Sequence, residues 1–254
     1  MTAGAIRFCR YAYAPNALGY CGPEDARAVL EHGAAGRAAG PDLVRLARGF
    51  EGAWPYLSLI ATANGIADPL DDRVVEAYWV GNRLLRRVET VDLGRFVEEL
   101  FKPRMGRRWA ALSDTPMNGS VPHHNFHVFV VYPWVGMLRL GRSVEPLRVL
   151  DRCRIRWGTV EQIEDAAVFV RSRPLLFDGV ALALGGPRIE RAVGSIDGMG
   201  FVTDLRPGDR VSMHWDWVCE RLSAHALSTL KRNTDRALDA ANNVLRHPAG
   251  SVLA

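Results

Sequence analysis

The chain has 254 residues, 48% of them hydrophobic, and a net charge of +4, which is enough apolar material for one large domain or two small ones and too much for a disordered chain. Its basic residues are almost all arginine, since only Lys102 and Lys231 are lysines, and no basic run is interleaved with aromatics, so the pI of about 9.1 does not point to nucleic acid. No apolar core of signal-peptide length opens the chain, and the longest nearly apolar run, Val128 to Leu138, is too short to cross a bilayer; a cytoplasmic protein with reduced cysteines and no membrane association is expected.

Residues 7–22 are rich in aromatics and turn formers without lasting periodicity, which predicts an ordered arm. Pro23, Glu24 and Asp25 suit a helix start and Gly33 its stop, so a first helix is expected over about 23–32. A second begins at Pro41 and runs to Phe50, with Pro55 breaking it before a further helix that ends at Ala63 and Asn64-Gly65. Asp71 can cap a long helix whose apolar face carries Val74, Val75, Tyr78, Trp79, Leu84, Leu85 and Val88. Shorter helices near 92–101 and 106–112 complete a largely helical first half.

The stretch from Ser120 to Trp134 gathers three of the seven histidines, His123, His124 and His127, into five positions. Ser120 and Pro122 favour a helix start while the β-branched run beyond favours a strand, and a buried helix is the expectation. In a helix His123 and His127 share a face at a spacing that suits a two-histidine metal site, with His124 as a further candidate. No glutamate follows the first histidine as in a zinc-protease helix, and clustered histidines also cap and hydrogen-bond buried helix ends. Helical patterning fades around 140–146, which places a boundary between a mainly helical domain, 1–142, and a β-rich one, 143–254.

In the second half Cys153, Ile155 and Trp157 alternate with Arg152, Arg154 and Arg156, the period of a half-buried strand, and Gly158 then permits a bend before Val160 and Ile163. By parity Cys153 is a core residue; the flanking arginines offer the other reading, a stabilised thiolate able to act as soft ligand or nucleophile. Short alternating runs through Ala167, Phe169, Val180, Leu182 and Leu184 mark further strands between turn signals. Past Pro207-Gly208-Asp209 a last strand puts Val211, Met213 and Trp215 on one face and Ser212, His214 and Asp216 on the polar one. Ser223 caps a final amphipathic helix through about Leu245. Cys9, Cys21 and Cys219 form no C-x-x-C pair and read as structural, and no phosphate-binding loop or nucleophile elbow is present.

These stretches resemble the HypC/HupF family of small nickel-iron hydrogenase maturation chaperones. The shared points are Cys153, Gly158, Val160 and Ile163, then Pro207-Gly208-Asp209, an alternating strand ending in His214, and Glu220-Arg221-Leu222 leading into the helix. The match covers about 147–245 with a longer middle, 164–204. In the family the cysteine stands at the mature N-terminus before a proline-containing turn, whereas Cys153 is internal, has no α-amino group beside it, and is followed by Trp157 at the proline position. Together with the helical first half, the resemblance implies an α+β chain: a helical N-terminal domain, then a small OB-like β-barrel and a C-terminal helix. It further implies that Cys153, with His214 nearby, handles an iron centre carrying cyanide and carbon monoxide, for a hydrogenase maturation protein or hydrogenase large subunit as partner. A thiolate is a strong donor to low-spin iron, and an imidazole serves as second ligand or hydrogen-bonding neighbour. Three readings follow: an accessory protein binding iron ahead of zinc, a metal-dependent enzyme at His123 and His127 that makes a small diatomic ligand, and an interaction module without metal.

Overall fold

Helices fill the first half of the computed structural model, which describes residues 3–35, 41–105, 119–141 and 144–246. Where an arm was expected, α1 (Ala3–Ala17) is a helix buried on nearly every side, with Phe8, Cys9, Tyr11 and Ala12 all at most 1% exposed. A helix surrounded by core has no polar face, so the period that marks amphipathic helices is missing from its sequence. Around it lie α2 (Ala26–Ala34), capped by Asp25, α3 (Pro41–Arg48), α4 (Trp54–Ala63), which Pro55 enters in its first turn, and α5 (Asp72–Trp79), capped by Asp71.

The expected long helix to Val88 breaks at Gly81, whose φ of +98° ends α5, and continues as a 3-10 turn over Arg83–Arg87. A Cβ at Gly81 would collide with the side-chain amide of Asn233 on the C-terminal helix, so close packing and left-handed backbone both demand glycine there. Next, α6 (Thr90–Met105) outruns its expected bounds, and the helix expected at 106–112 lies outside the described residues. The histidine stretch forms a short helix, α7 (His124–Phe126), that widens into a π-helical turn over His127–Val131. Its cap is His123 and not Ser120. Then come α8 (Trp134–Arg139) and α9 (Val144–Cys153). Cys153 therefore closes a helix whose buried face is Pro146, Val149, Leu150 and Cys153, and does not lie in the expected strand. Among the described residues no helix is long and apolar enough to cross a membrane.

A closed five-stranded barrel follows, built from β1 (Arg156–Glu164), β2 (Ala167–Ser172), β5 (Arg188–Val193), β8 (Arg210–His214) and β9 (Trp217–Arg221) in the order β1-β2-β5-β9-β8. Neighbours are antiparallel except β5 and β9, which meet in parallel at Val193 and Trp217. Two small hairpins, β3 (Leu175–Phe177) with β4 (Leu182–Leu184) and β6 (Ser195–Ile196) with β7 (Met199–Gly200), extend the loops, and α10 (Ala224–Arg246) follows the Ser223 cap. Val160, Val168, Val170, Val211, Met213 and Val218 fill the barrel. Gly158 serves a close approach more than a bend: a Cβ there would strike Val170 and the Arg171 carbonyl of β2, while the bulge lies beyond it, between Val160 and Gln162.

The larger core belongs to the helices but takes in Ile155, Trp215, Trp217, Cys219 and Leu222 from the second half. Helix α10 lies against α7 and the π-turn, and α1 against β8 and β9. The boundary placed at 142/143 falls on residues outside the described ones.

The arginine face expected to be solvated is largely interior. Arg154 and Arg156 are 1% and 2% exposed. Arg154 donates to Asp151 at 2.9 Å and to the Arg173 carbonyl at 2.7 Å; Arg156 reaches Glu190 and the Trp215 carbonyl, and Arg152 reaches Asp216 and Glu190. Ser172 donates to the same Glu190 carboxylate. Removing one partner of a buried pair leaves the other charge uncompensated. Glu190→Gln should therefore lower stability by about 3–5 kcal/mol in urea unfolding, and a well-packed apolar replacement of both Arg156 and Glu190 should recover most of that loss.

Candidate metal centre

Three residues distant in sequence converge where the barrel meets the helices. His124, Cys153 and His214 are all buried, and one donor atom from each lies within 4.8 Å of the other two. Local chemistry places each of them. His123 sits outside the helix with extended backbone, φ −108° and ψ 149°, and its Nδ1 accepts from the Asn125 N–H at 3.0 Å, so His124 becomes the first helical residue of α7. Asn125 then clamps α7 onto the start of the barrel: its Oδ1 accepts from the Ile155 N–H at 2.7 Å and its Nδ2 donates to Thr234 at 2.8 Å. This brings His124 Nε2 to 3.9 Å from Cys153 Sγ at the end of α9.

His214 ends β8 on the face expected to be polar and solvated. That face is instead sealed by α1. Tyr11 Oη stands 2.7 Å from Ser212 Oγ and donates to Glu220 at 2.7 Å. The Tyr11 carbonyl accepts from His214 Nδ1 at 2.6 Å. In an α-helix that carbonyl would accept from the N–H four residues on, which is Pro15, a residue with no N–H to give. Proline thus frees the acceptor that orients the histidine. With Nδ1 protonated, Nε2 of His214 carries the lone pair, and it is buried without a hydrogen-bond partner.

His124 has two arrangements open to it. Its Nε2 lies 2.9 Å from the Cys153 carbonyl and its Nδ1 lies 3.1 Å from Tyr78 Oη. Since a carbonyl only accepts, Nε2–H donates to the Cys153 carbonyl while Nδ1 accepts from Tyr78 Oη. Binding a metal through Nε2 requires that proton to move to Nδ1, with the Tyr78 hydroxyl turning to the Gly52 carbonyl at 3.4 Å; the two imidazoles, with centroids 4.9 Å apart, then both present Nε2 lone pairs. Such hydrogen bonds to the remote nitrogen set tautomer and ring orientation in metal-binding histidines.

Burial holds His214 down at about 4 and His124 well below its usual range, so both are neutral near pH 7, the state a metal ligand requires. Burial also pushes the Cys153 thiol up, and the neighbouring Trp215 side chain offsets this only slightly. The expectation that flanking arginines stabilise a thiolate is corrected here, because their charges are taken up by Asp151, Glu190 and Asp216. The proton leaves Cys153 when a cation replaces it. Two imidazoles and one thiolate form a borderline-soft donor set suited to zinc, iron, cobalt or copper and not to magnesium or calcium. The trio lines a cavity of about 220 Å³ walled chiefly by Phe50, Tyr78, Trp79, Tyr132 and Trp134.

Of the residues singled out from sequence, Cys153, His214 and His124 meet, while His123 and His127 stand outside the trio. Their expected shared face does not arise, because His123 is a cap and not a helical residue. His127 lines the same cavity with its Nδ1 3.1 Å from Tyr56 Oη. Sequence reasoning missed Tyr11 and Tyr78, and the one available signal was Pro15 in an alanine-rich segment.

Four buried histidines make acid a destabiliser. Burial lowers His123 and His214 to about 4, His127 to about 3, and His124 well below its usual value. In the unfolded chain they titrate near 6.5, so between pH 6.5 and 4 the unfolded state binds protons that the folded state refuses, and stability falls with pH. The slope is up to about 1.4 kcal/mol per pH unit for each histidine. In the presence of a chelator, the urea midpoint should drop steadily from pH 7 to 5, and His214→Gln should make that decline shallower.

No curated protein and no solved structure matches the chain. A family model does match, over residues 1–248, spanning the helical half and the barrel together, and the chain belongs to the family of unknown function DUF6390.

Proposed function

We propose that this chain is an iron-binding accessory protein of the hydrogenase-maturation type. It holds iron, or an iron fragment carrying cyanide and carbon monoxide, at His124, Cys153 and His214 for a maturation protein or hydrogenase large subunit. The observation that carries this reading is the meeting of Cys153 and His214, which belong to the two separate stretches that resemble HypC/HupF, in one buried donor group.

Three further features support it. Numbered in chain order, the five strands of the closed barrel neighbour one another as 1-2-3-5-4, with the third and fifth parallel and joined at a single pair, an order that supports the OB-like reading. Cys153 has no α-amino group beside it, but His124 Nε2, 3.9 Å from the sulfur, supplies a nitrogen donor there. The buried, unpartnered Nε2 of His214 fits a metal as well, since an orphaned polar atom in the interior is costly and a bound cation removes that cost. A metal-dependent enzyme at the same trio is the second reading, favoured by the cavity of about 220 Å³ beside it, which has room for a small molecule.

Protein produced with added iron and purified without oxygen should contain iron in the parent, lose it in Cys153→Ala and His214→Ala, and keep it in His123→Asn, which preserves the cap. Infrared bands of metal-bound cyanide or carbonyl in the parent would identify the fragment. Iron retained equally by both ligand variants, or a parent with neither iron nor such bands, would sink the proposal. Transfer of the iron to a metal-free hydrogenase large subunit separates an accessory protein from an enzyme.

Pro15→Ala tests the orienting contact. The new N–H at position 15 competes with His214 for the Tyr11 carbonyl, so metal affinity should fall by about 10–100-fold, the usual effect of losing such a supporting hydrogen bond. Equilibrium dialysis against a competing chelator would measure it, with helix content by circular dichroism unchanged.

A further inference from the structure

We infer that Cys21 is a fourth donor to this centre: a divalent transition metal held by His124, Cys153 and His214 is also bound by the Cys21 thiolate, delivered from the loop that follows α1. The inference rests on the metal reading above and deepens it.

Charge is the first argument. Two neutral imidazoles and one thiolate leave a divalent ion with a net charge of about +1. Among the described residues lining the cavity there is no aspartate or glutamate to cancel it. A net charge buried among aromatic walls is expensive, and a second thiolate makes the centre neutral. The lining groups outside the trio that can give up a proton are Cys21 and the tyrosines Tyr20, Tyr78 and Tyr132. The thiol has the lowest ordinary pKa of these; burial pushes Cys21 up to about 12, so its proton leaves only in exchange for the cation.

Placement is the second. Cys21 lines the same cavity as all three donors, and its loop is fastened on both sides of it. Tyr20 packs on Trp215, the residue after His214, with ring centroids 4.3 Å apart. Gly22 presses against Phe50 so closely that a Cβ would collide with the ring. Asn16 Nδ2 donates to the Cys21 carbonyl at 2.8 Å and to the Pro23 carbonyl at 2.6 Å. Cys21 is not within the 4.8 Å grouping of the trio, so coordination requires its side chain to swing inward. The step is an exchange of ions without redox chemistry: each thiol releases its proton to solvent as its sulfur bonds the metal, two protons for one divalent ion.

Cobalt(II) alone is a suitable probe. Under anaerobic conditions the parent should show a near-ultraviolet sulfur-to-cobalt band from two thiolates. That band should fall to about half in Cys21→Ser, and likewise in Cys153→Ser, with cobalt binding about 10-fold weaker or worse. Independently of any substitution, cobalt should protect both Cys21 and Cys153 of the parent from iodoacetamide, read by peptide mass. Cobalt bound with full band intensity in Cys21→Ser, or Cys21 alkylated equally fast with and without cobalt, would overturn the assignment of Cys21 while leaving the trio standing. A parent that binds no cobalt would overturn both.

Discussion

The hydrogen bond from His214 Nδ1 to the Tyr11 carbonyl is the contact on which the rest of the site depends. It joins the central helix to the end of a barrel strand, and its 2.6 Å length places imidazole and helix in fixed register. It exists because Pro15 withdraws the competing backbone donor. A helix-breaking residue inside a fully buried helix would ordinarily be a defect worth ~3 kcal/mol. Here the unsatisfied carbonyl is reassigned to an imidazole, so the loss of one helical hydrogen bond is offset by a bond between the two halves of the chain.

Around that contact the interior is unusually polar for so apolar a chain. Four histidines, His123, His124, His127 and His214, are buried, and so are two arginines, Arg154 and Arg156. The two groups do different work. Arg154 and Arg156 are paired with Asp151 and Glu190 and with backbone carbonyls, although Arg156 Nε has no partner, and this ties α9, β1, β2 and β5 together. The histidines are neutral, and His214 Nε2 is buried without a hydrogen-bond partner. Polar interiors that are fully satisfied specify structure, whereas an unsatisfied donor or acceptor calls for another explanation.

Much of the helical content is legible because caps are local. Asp71 and Ser223 each accept from a backbone N–H two or three positions on, and that chemistry can be read without knowing the fold. The helix expected from Pro23 to a stop at Gly33 instead takes Asp25 as its cap and runs over Ala26–Ala34 through Gly33. Features that depend on packing are not legible in this way. The burial of α1 on nearly every side hides its period, and Gly81 ends α5 against Asn233, a residue far along the chain. Cys153 was placed in a strand because arginines alternate with apolar residues from 152 to 157, yet in α9 the apolar spacing Val149, Leu150, Cys153 is that of a helix. For the site, Cys153 and His214 were found through a family-like spacing. His124 was the least favoured of its cluster, because i, i+4 geometry selected His123 and His127 and gave no hint that His123 would stay outside the helix.

The three donors come from α7, α9 and β8, and the last is oriented by a residue 203 positions earlier. No shorter piece of the chain contains both ends of that contact. During synthesis the N-terminal helices can fold first, but His214 is still to come, and until it docks on Tyr11 only two of the trio's donors are present. The centre therefore cannot be assembled on a half-made chain. The three donor atoms meet only once the barrel has closed on the helices.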